Sequence, residues 1–217
     1  MAIGYTTRER QVKMEYKGTP FKDSVYPGGP QVIPGRIRCA YYDFGGEGIA
    51  YHDSDPVNHG SGELNHANGS YLHEFRMNEG VDITYTKDGE YDNHPYNFVE
   101  PELGILYVGW TEPGEWMKYT VEVKQTALYA VNLFYTSNQG GEIALSVNDR
   151  NATGSIQIQS TYRDDDPLSW RQWHHWNQMN GIARIKLEQG IQILTLCTIS
   201  KGGMNFAYLD FELVREE

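Results

Sequence analysis

The stretch MKYTVEV, residues 117–123, alternates apolar and polar side chains with a period of two. Its apolar side chains, from Met117 to Val123, lie on one face of an extended chain, and the polar ones lie on the other. The next stretch, ALYAVNLFYTS (127–137), carries large apolar side chains at the same spacing. This period predicts two β-strands that each bury one face.

The same spacing recurs in short runs along the rest of the chain. It is found in residues 143–147, 156–158, 183–187, 191–200 and 205–214. Gly, Asn and Pro separate these runs, and no window of helical length carries a 3.6-residue apolar stripe. The sequence therefore predicts an all-β, antiparallel sandwich.

Three other segments lack this regularity. Residues 1–31 are rich in Lys, Pro and Gly, and we expect an extended leader or linker that lies against one folded domain, residues 32–217. Residues 53–79 and 87–104 are polar and irregular. Long ordered loops on a sandwich typically form a binding face or a lid.

The charge of the chain restricts its partners. The 217 residues carry 29 acidic and 18 basic side chains, a net charge of −11, with no cluster of Lys and Arg. Nucleic acid is therefore not an expected partner, and a strongly anionic glycan is disfavoured for the same reason. No apolar run approaches the roughly 18 residues of a membrane span. Residues 1–11 lack the apolar stretch of a secretory signal, which leaves a cytosolic protein and a mature secreted one both open.

The two cysteines, Cys39 and Cys197, lie in apolar stretches without metal-type spacing. Two buried thiols are the favoured interpretation, and a disulfide between them is the less favoured alternative.

Evidence for catalysis or for a metal is weak. Histidines and aspartates crowd residues 52–66, but their spacing matches no known metal-ligand motif. Asp164, Asp165 and Asp166 are adjacent in a predicted loop, where neighbouring carboxylates point in different directions and do not form an acid/base pair. The sequence also lacks a nucleophile motif and a phosphate-binding loop.

Tryptophans are the more informative residues. Trp110 precedes a Pro-Gly turn, and Trp170, Trp173 and Trp176 follow a second loop. Aromatic rings on loops bury the C–H faces of sugars, whereas the alternative role of a tryptophan is to fill the core. Trp173 and Trp176 lie three apart, so on a strand they face opposite ways and cannot both be core residues. Trp116 begins the strand of residues 117–123 and is expected to be structural.

Five stretches, taken together and in order, resemble the family six carbohydrate-binding modules. They are IPGRIRCAYYDFGGEGIAYHDSD (33–55), NEGVDI (78–83), YVGWTEPGEWMKYTVEV (107–123), SWRQWHHW (169–176) and GGMNFAYLDF (202–211). The resemblance covers nearly the whole predicted domain. It implies a β-jelly-roll sandwich whose usual function is non-catalytic glycan binding.

The resemblance also implies a set of site residues. The two aromatics that hold the sugar in the family fall on Trp110 and Trp170, and the asparagine that hydrogen-bonds the sugar falls on Asn205. The acidic or polar loop position that assists falls at or near His52, with Glu47 close by. The long loops 53–79 and 87–104 are expected either to wall this site or to block it.

The chain departs from the family at the positions that usually bind a structural calcium. These positions are Arg38, Ala40 and Ala207, a cation and two methyl groups where a hard cation needs oxygen ligands. We therefore expect no cofactor, with calcium absent or weakly bound and Arg38 occupying part of its space.

The resemblance implies a non-enzymatic module that binds a neutral plant, algal or microbial polysaccharide and targets an attached or partner glycoside hydrolase. It implies an extracellular, periplasmic or cell-surface location. Two alternatives remain: a structural or protein-docking sandwich that has lost its sugar site, and a small glycan-active enzyme that uses the acidic and histidine-rich loops.

Overall fold

The computed structural model describes residues 16–215, so the predictions made on residues 1–11 lie outside the described residues. Within this range the elements are β1 (Gln31–Ile33), β2 (Gly35–Arg38), β3 (Tyr51–His52), β4 (Ser61–Gly62), β5 (Asn65–His66), α1 (Tyr71–Glu74), β6 (Ile83–Tyr85), β7 (Leu106–Val108), β8 (Trp116–Val123), β9 (Ala127–Ser137), β10 (Gly141–Val147), β11 (Arg150–Asn151), β12 (Ile156–Ile158), β13 (Asn177–Leu187), β14 (Gly190–Ser200) and β15 (Met204–Leu213).

The strands form two main sheets. The first sheet has the order β1-β8-β14-β10-β11, with β12 paired to β10 and β3 paired to β8. The second sheet has the order β13-β9-β15-β7-β6, with β2 paired to β15. Pairing is antiparallel except for β1 with β8, and for the small separate ladder of β4 with β5. The predicted all-β antiparallel sandwich is confirmed.

The core lies between the two sheets, and the period-two pattern builds it. Met117, Tyr119 and the two valines that follow them on β8 are all buried, as are Tyr129, Val131, Leu133 and Tyr135 on β9. Complete burial of one such side chain contributes about 1.5–3 kcal/mol. Trp116 begins β8, as expected, but its half-buried side chain lies on the outer face of the first sheet.

A second apolar cluster covers the outer face of the second sheet. The ring of Phe134 stacks between Trp176 and Tyr208, with centroid distances of 5.0 Å to each. Trp176 is fully buried here and Trp173 is partly exposed, but neither lies on a strand, because β13 begins at Asn177, so the argument from opposite strand faces does not apply. Because Trp176 ends the stretch SWRQWHHW (169–176), which also contains Trp170, this cluster holds that stretch, the Trp170 loop, against the sheet.

The segment before β1 packs on the sandwich. Phe21 is buried, and its ring contacts the rings of Tyr26, Tyr41 and Phe75. Thr19 exchanges two backbone hydrogen bonds with Phe44. The division into a leader, residues 1–31, and a domain, residues 32–217, stays a prediction.

Both cysteines are free thiols, but only one is buried. Cys39 is fully buried, whereas Cys197 is partly exposed. The expectation of two buried thiols is wrong for Cys197. This residue of β14 lies opposite Trp116 of β8 and Ala144 of β10, and its side chain is on the outer face of the first sheet.

Candidate functional site

Trp110 lies where β7 ends and the turn before β8 begins. Its side chain is 37% exposed, and its backbone has a φ of 46°, in the left-handed region that bulky residues rarely adopt. The Trp110 N–H donates a hydrogen bond of 3.0 Å to Asn205 Oδ1, which holds the backbone in this conformation. The ring is thus placed at the surface by a constrained turn.

Asn205 is the second residue of β15 and is almost completely buried. Its Nδ2 group donates to Thr136 Oγ1 at 2.8 Å and to His174 Nδ1 at 2.9 Å, while Oδ1 accepts from Trp110. Both amide hydrogens are therefore used inside the protein. Asn205 therefore has only the second lone pair of Oδ1 left without a partner in the hydrogen bonds described, and its side chain is 1% exposed.

A histidine extends this hydrogen-bond chain to a buried carboxylate. His174 Nε2 lies 2.8 Å from Asp92 Oδ1, and both side chains are nearly inaccessible. Since a carboxylate accepts, Nε2 carries the proton, and Nδ1 is left to accept from Asn205. The chain Asp92–His174–Asn205–Trp110 therefore links the loop 87–104 to the tryptophan turn through buried groups.

Trp170 lies in the turn that follows the three aspartates, and half of its side chain is exposed. The next residue, Arg171, is buried and forms two hydrogen bonds with Asp166, from Nε at 2.7 Å and from Nη2 at 2.9 Å. His175 Nε2 lies 2.9 Å from the same carboxylate. These contacts anchor the loop beneath Trp170 and leave its ring facing outward.

The loop 87–104 packs against the Trp170 loop. Phe98 and Val99 donate backbone hydrogen bonds to the Trp176 carbonyl, and Asn97 Oδ1 accepts from the Trp176 N–H at 2.9 Å. Trp170 keeps half of its surface accessible beside this loop. The loop therefore forms a wall next to Trp170 and leaves that ring uncovered.

His52 and Glu47 form a separate pair. His52 Nδ1 lies 2.5 Å from Glu47 Oε1, both side chains are about half exposed, and the imidazole is 6.4 Å from the Trp116 ring. Within residues 16–215, neither side chain forms a hydrogen bond with Trp110, Trp170 or Asn205. The structure thus joins Trp110 to Asn205 and links the Trp170 loop to them through His174, whereas the His52–Glu47 pair is not part of this hydrogen-bonded group.

Two partly buried carboxylates, those of Asp53 and Asp82, border the turn after Trp110. Burial raises the pKa of Asp53 to about 7, with Glu115 and Asp82 adding to the shift, and burial raises the pKa of Asp82 to about 6. Both side chains accept backbone N–H bonds within the loop 53–79, from Asp55 and from His59. They shape this loop, and near neutral pH they carry less negative charge than the composition suggests.

The residues at the family's calcium positions do not fit a hard cation. Ala40 and Ala207 are fully buried, and the Arg38 guanidinium lies 5.9 Å from the Tyr41 ring centroid. The carbonyl oxygens of Arg38 and Tyr41 each accept a hydrogen bond of 3.3 Å from Gln31 Nε2. A neutral amide therefore interacts with these carbonyls, and the three positions themselves offer no carboxylate to calcium.

Two further findings concern residues 16–215 alone. No group of three or more His, Cys, Asp and Glu side chains there is arranged to hold a metal ion. No helix in this part of the chain is long and apolar enough to cross a membrane.

An open groove of about 410 Å³ lies away from the tryptophans, between β12 and β13, and is lined by residues 152–157 and 179–184. It contains none of the predicted site residues. The exposed aromatic rings are therefore the feature that distinguishes the two tryptophan loops.

Sequence reasoning missed four residues that shape the site. Asp92 and His174 orient Asn205, Asp166 anchors the Trp170 loop, and Tyr91 lies beside Trp170 with a ring-centroid distance of 5.6 Å. Asp166 and His174 lie in or next to a recognised motif, but nothing in the sequence distinguishes a buried aspartate or histidine from an exposed neighbour.

Comparison with known proteins establishes the fold. No protein-family model matches the sequence, and no curated protein sequence matches it. Among solved structures, a β-1,3-glucan-binding family 6 carbohydrate-binding module from Bacillus halodurans is similar, with a TM-score of 0.51 and 16% identity over 84% of this chain and 98% of that chain. The CsCBM6-3 module from Clostridium stercorarium, solved with cellobiose, has a TM-score of 0.51 and 14% identity over 86% and 99%. The predicted resemblance is thus confirmed in the architecture of the chain.

Proposed function

We propose that this chain is a non-catalytic module that binds a neutral polysaccharide between Trp110 and Trp170. The observation that carries the proposal is the pair of exposed tryptophans on two loops that are joined by the buried Asp92–His174–Asn205 chain. Two rigid aromatic platforms bury the apolar faces of a sugar with little loss of side-chain entropy. The buried polar chain keeps the platforms in place before a ligand arrives.

Polar groups around the platforms supply orientation. In this proposal Asn205 Oδ1, whose second lone pair has no partner in the hydrogen bonds described, accepts from a sugar hydroxyl that reaches it between the tryptophans, and the His52–Glu47 pair is the candidate for a further contact. The net charge of −11 disfavours anionic glycans and carries no penalty for neutral ones. The two similar modules bind a β-1,3-glucan and cellobiose, so neutral β-linked glucans are the first ligands to test.

In this proposal the module holds an attached or partner glycoside hydrolase on its polysaccharide substrate, outside the cytoplasm or at the cell surface. The polysaccharide is of plant, algal or microbial origin. No metal takes part, because the residues at the family's calcium positions provide no suitable ligands.

Affinity gel electrophoresis with a panel of neutral polysaccharides, including β-1,3-glucan and a soluble cellulose derivative, tests the proposal. The wild-type chain should be retarded by at least one member. Trp110→Ala and Trp170→Ala should each weaken binding by about tenfold or more, the cost of a central aromatic contact. Trp116→Ala, at the tryptophan that follows the same turn, is the control and should keep the retardation.

The alternatives give different results. A structural or protein-docking sandwich would bind no member of the panel. A glycan-active enzyme would release reducing sugar, and a substitution within residues 52–66 or 164–166 would abolish that release. Thermal unfolding of each variant shows whether a loss of binding reflects a loss of fold.

A further inference from the structure

A second exposed aromatic side chain lies beside Trp170. Tyr91, on the loop 87–104, is 56% exposed, and its ring centroid is 5.6 Å from that of Trp170 with an angle of 49° between the rings. Rings at this angle do not stack on each other in parallel. The two exposed rings are inclined to each other instead, and Lys87 Nζ lies 5.6 Å from the Tyr91 ring centroid.

The residues on both sides of Tyr91 are tied to the Trp170 loop. The Glu90 carbonyl accepts a hydrogen bond of 2.6 Å from Arg171 Nη1, next to Trp170. The Asp92 carboxylate accepts from His174 Nε2 at 2.8 Å and from Trp176 Nε1 at 2.9 Å. Tyr91 is thus held between two anchors, and its position relative to Trp170 is set by buried hydrogen bonds.

This arrangement leaves a large apolar surface in water at a fixed position. Tyrosine has only two side-chain torsions, so little further entropy is lost when such a ring contacts a ligand. Within residues 16–215 the Tyr91 hydroxyl has no hydrogen-bond partner, which leaves it free to bind one from solution. An aromatic face with a free hydroxyl at its edge matches a sugar ring, which is apolar on its faces and polar at its rim.

We propose that Tyr91 is a further sugar-contacting residue that helps to determine specificity. The sugar lies on the Trp170 ring, its edge contacts the Tyr91 ring, and the Tyr91 hydroxyl binds a hydroxyl group at the rim of that sugar. The inference rests on the proposed function and goes beyond it. The loop 87–104 becomes part of the binding surface instead of a wall beside it.

Isothermal titration with the oligosaccharides of the polysaccharide that the wild type retains tests the inference. Tyr91→Ala should weaken binding by about five- to tenfold, as expected for an aromatic contact at the side of a binding site. Tyr91→Phe should recover most of that affinity. It should also reduce the ratio of affinities for the preferred sugar over a sugar that is epimeric at one hydroxyl, because only the hydroxyl group is removed.

Phe98→Ala is the matched control, since Phe98 lies on the same loop and is 51% exposed, but its ring faces Arg163. It should bind as the wild type does. Unchanged affinity in Tyr91→Ala, while Trp170→Ala loses binding, would overturn the inference and leave the proposed function intact. An equal loss in Phe98→Ala would also overturn it, because the effect would then belong to the loop as a whole. A wild-type chain that binds no glycan would overturn both.

Discussion

Asp166 is the buried anchor of the Trp170 loop, and its replacement by asparagine tests that role. Burial alone would raise the pKa of Asp166, but hydrogen bonds from Arg171, His175 and the Leu168 N–H hold this pKa well below its usual range. His175 also faces the Thr161 carbonyl with Nδ1, at 2.8 Å. Both its ring nitrogens therefore face an oxygen atom of a neighbouring group.

Asp166→Asn keeps the shape of the side chain and removes its charge. Oδ2 accepts from Arg171 Nε at 2.7 Å and from His175 Nε2 at 2.9 Å, while Oδ1 accepts from Arg171 Nη2 and the Leu168 N–H, both at 2.9 Å. An amide nitrogen at Oδ2 faces the Arg171 Nε donor, and one at Oδ1 faces both the Arg171 Nη2 and the Leu168 N–H donors. The buried Arg171 guanidinium also loses the carboxylate with which it pairs, so we expect a loss of about 3–5 kcal/mol in the free energy of unfolding.

Urea unfolding followed by tryptophan fluorescence measures this loss, with Asp165→Asn as the matched control. Asp165 is adjacent in the sequence and also pairs with an arginine, Arg163, but its side chain is exposed. A surface pair contributes about 1 kcal/mol or less. Similar losses in both variants, or a loss below about 1 kcal/mol in Asp166→Asn, would refute the reasoning.

Two further predictions concern pH and the segment before β1. Because the folded-state pKa of Asp53 is raised to about 7 from an ordinary value of 3.8, the folded state binds this proton more tightly, and the associated stability is lost as pH rises from about 4 through 7. Asp53→Asn should therefore gain thermal stability relative to the wild type between pH 5 and pH 8, and a constant difference would contradict this. Phe21→Ala should lower the free energy of unfolding by about 3–5 kcal/mol, since the ring is buried among other aromatics. Val25→Ala, at an exposed residue of the same segment, should change it by less than about 0.5 kcal/mol, and equal effects would show that Phe21 does not pack on the core.

The strands were predictable because burial alone specifies them. On β8 and β9, each inward side chain meets the opposite sheet, so the apolar period of two is imposed by the packing and is visible in the sequence. Trp116 illustrates the limit of that argument. It begins β8 as expected, but the expectation that it is structural did not say which face of the sheet it occupies. Its place in the alternation, opposite to Met117, puts its side chain on the outer face.

The loops were less predictable because long-range hydrogen bonds determine them. Three adjacent aspartates look alike in the sequence, but Asp166 is buried because Arg171 and His175 reach it, and Asp165 is exposed because Arg163 holds it at the surface. Tyr91 belongs to none of the recognised motifs. Its place beside Trp170 depends on Asp92, whose carboxylate accepts hydrogen bonds from His174 and Trp176, more than 80 residues away.

The left-handed backbone at Trp110 bears on whether evolution retains a tryptophan at this position. A non-glycine residue in this conformation costs on the order of 1–2 kcal/mol, a cost that glycine would avoid. Selection for a stable fold alone would favour glycine at this position, and an indole ring would be lost over time. Under the proposed function, glycan binding is what keeps the indole ring here, and directed evolution for heat resistance without a glycan should replace it early.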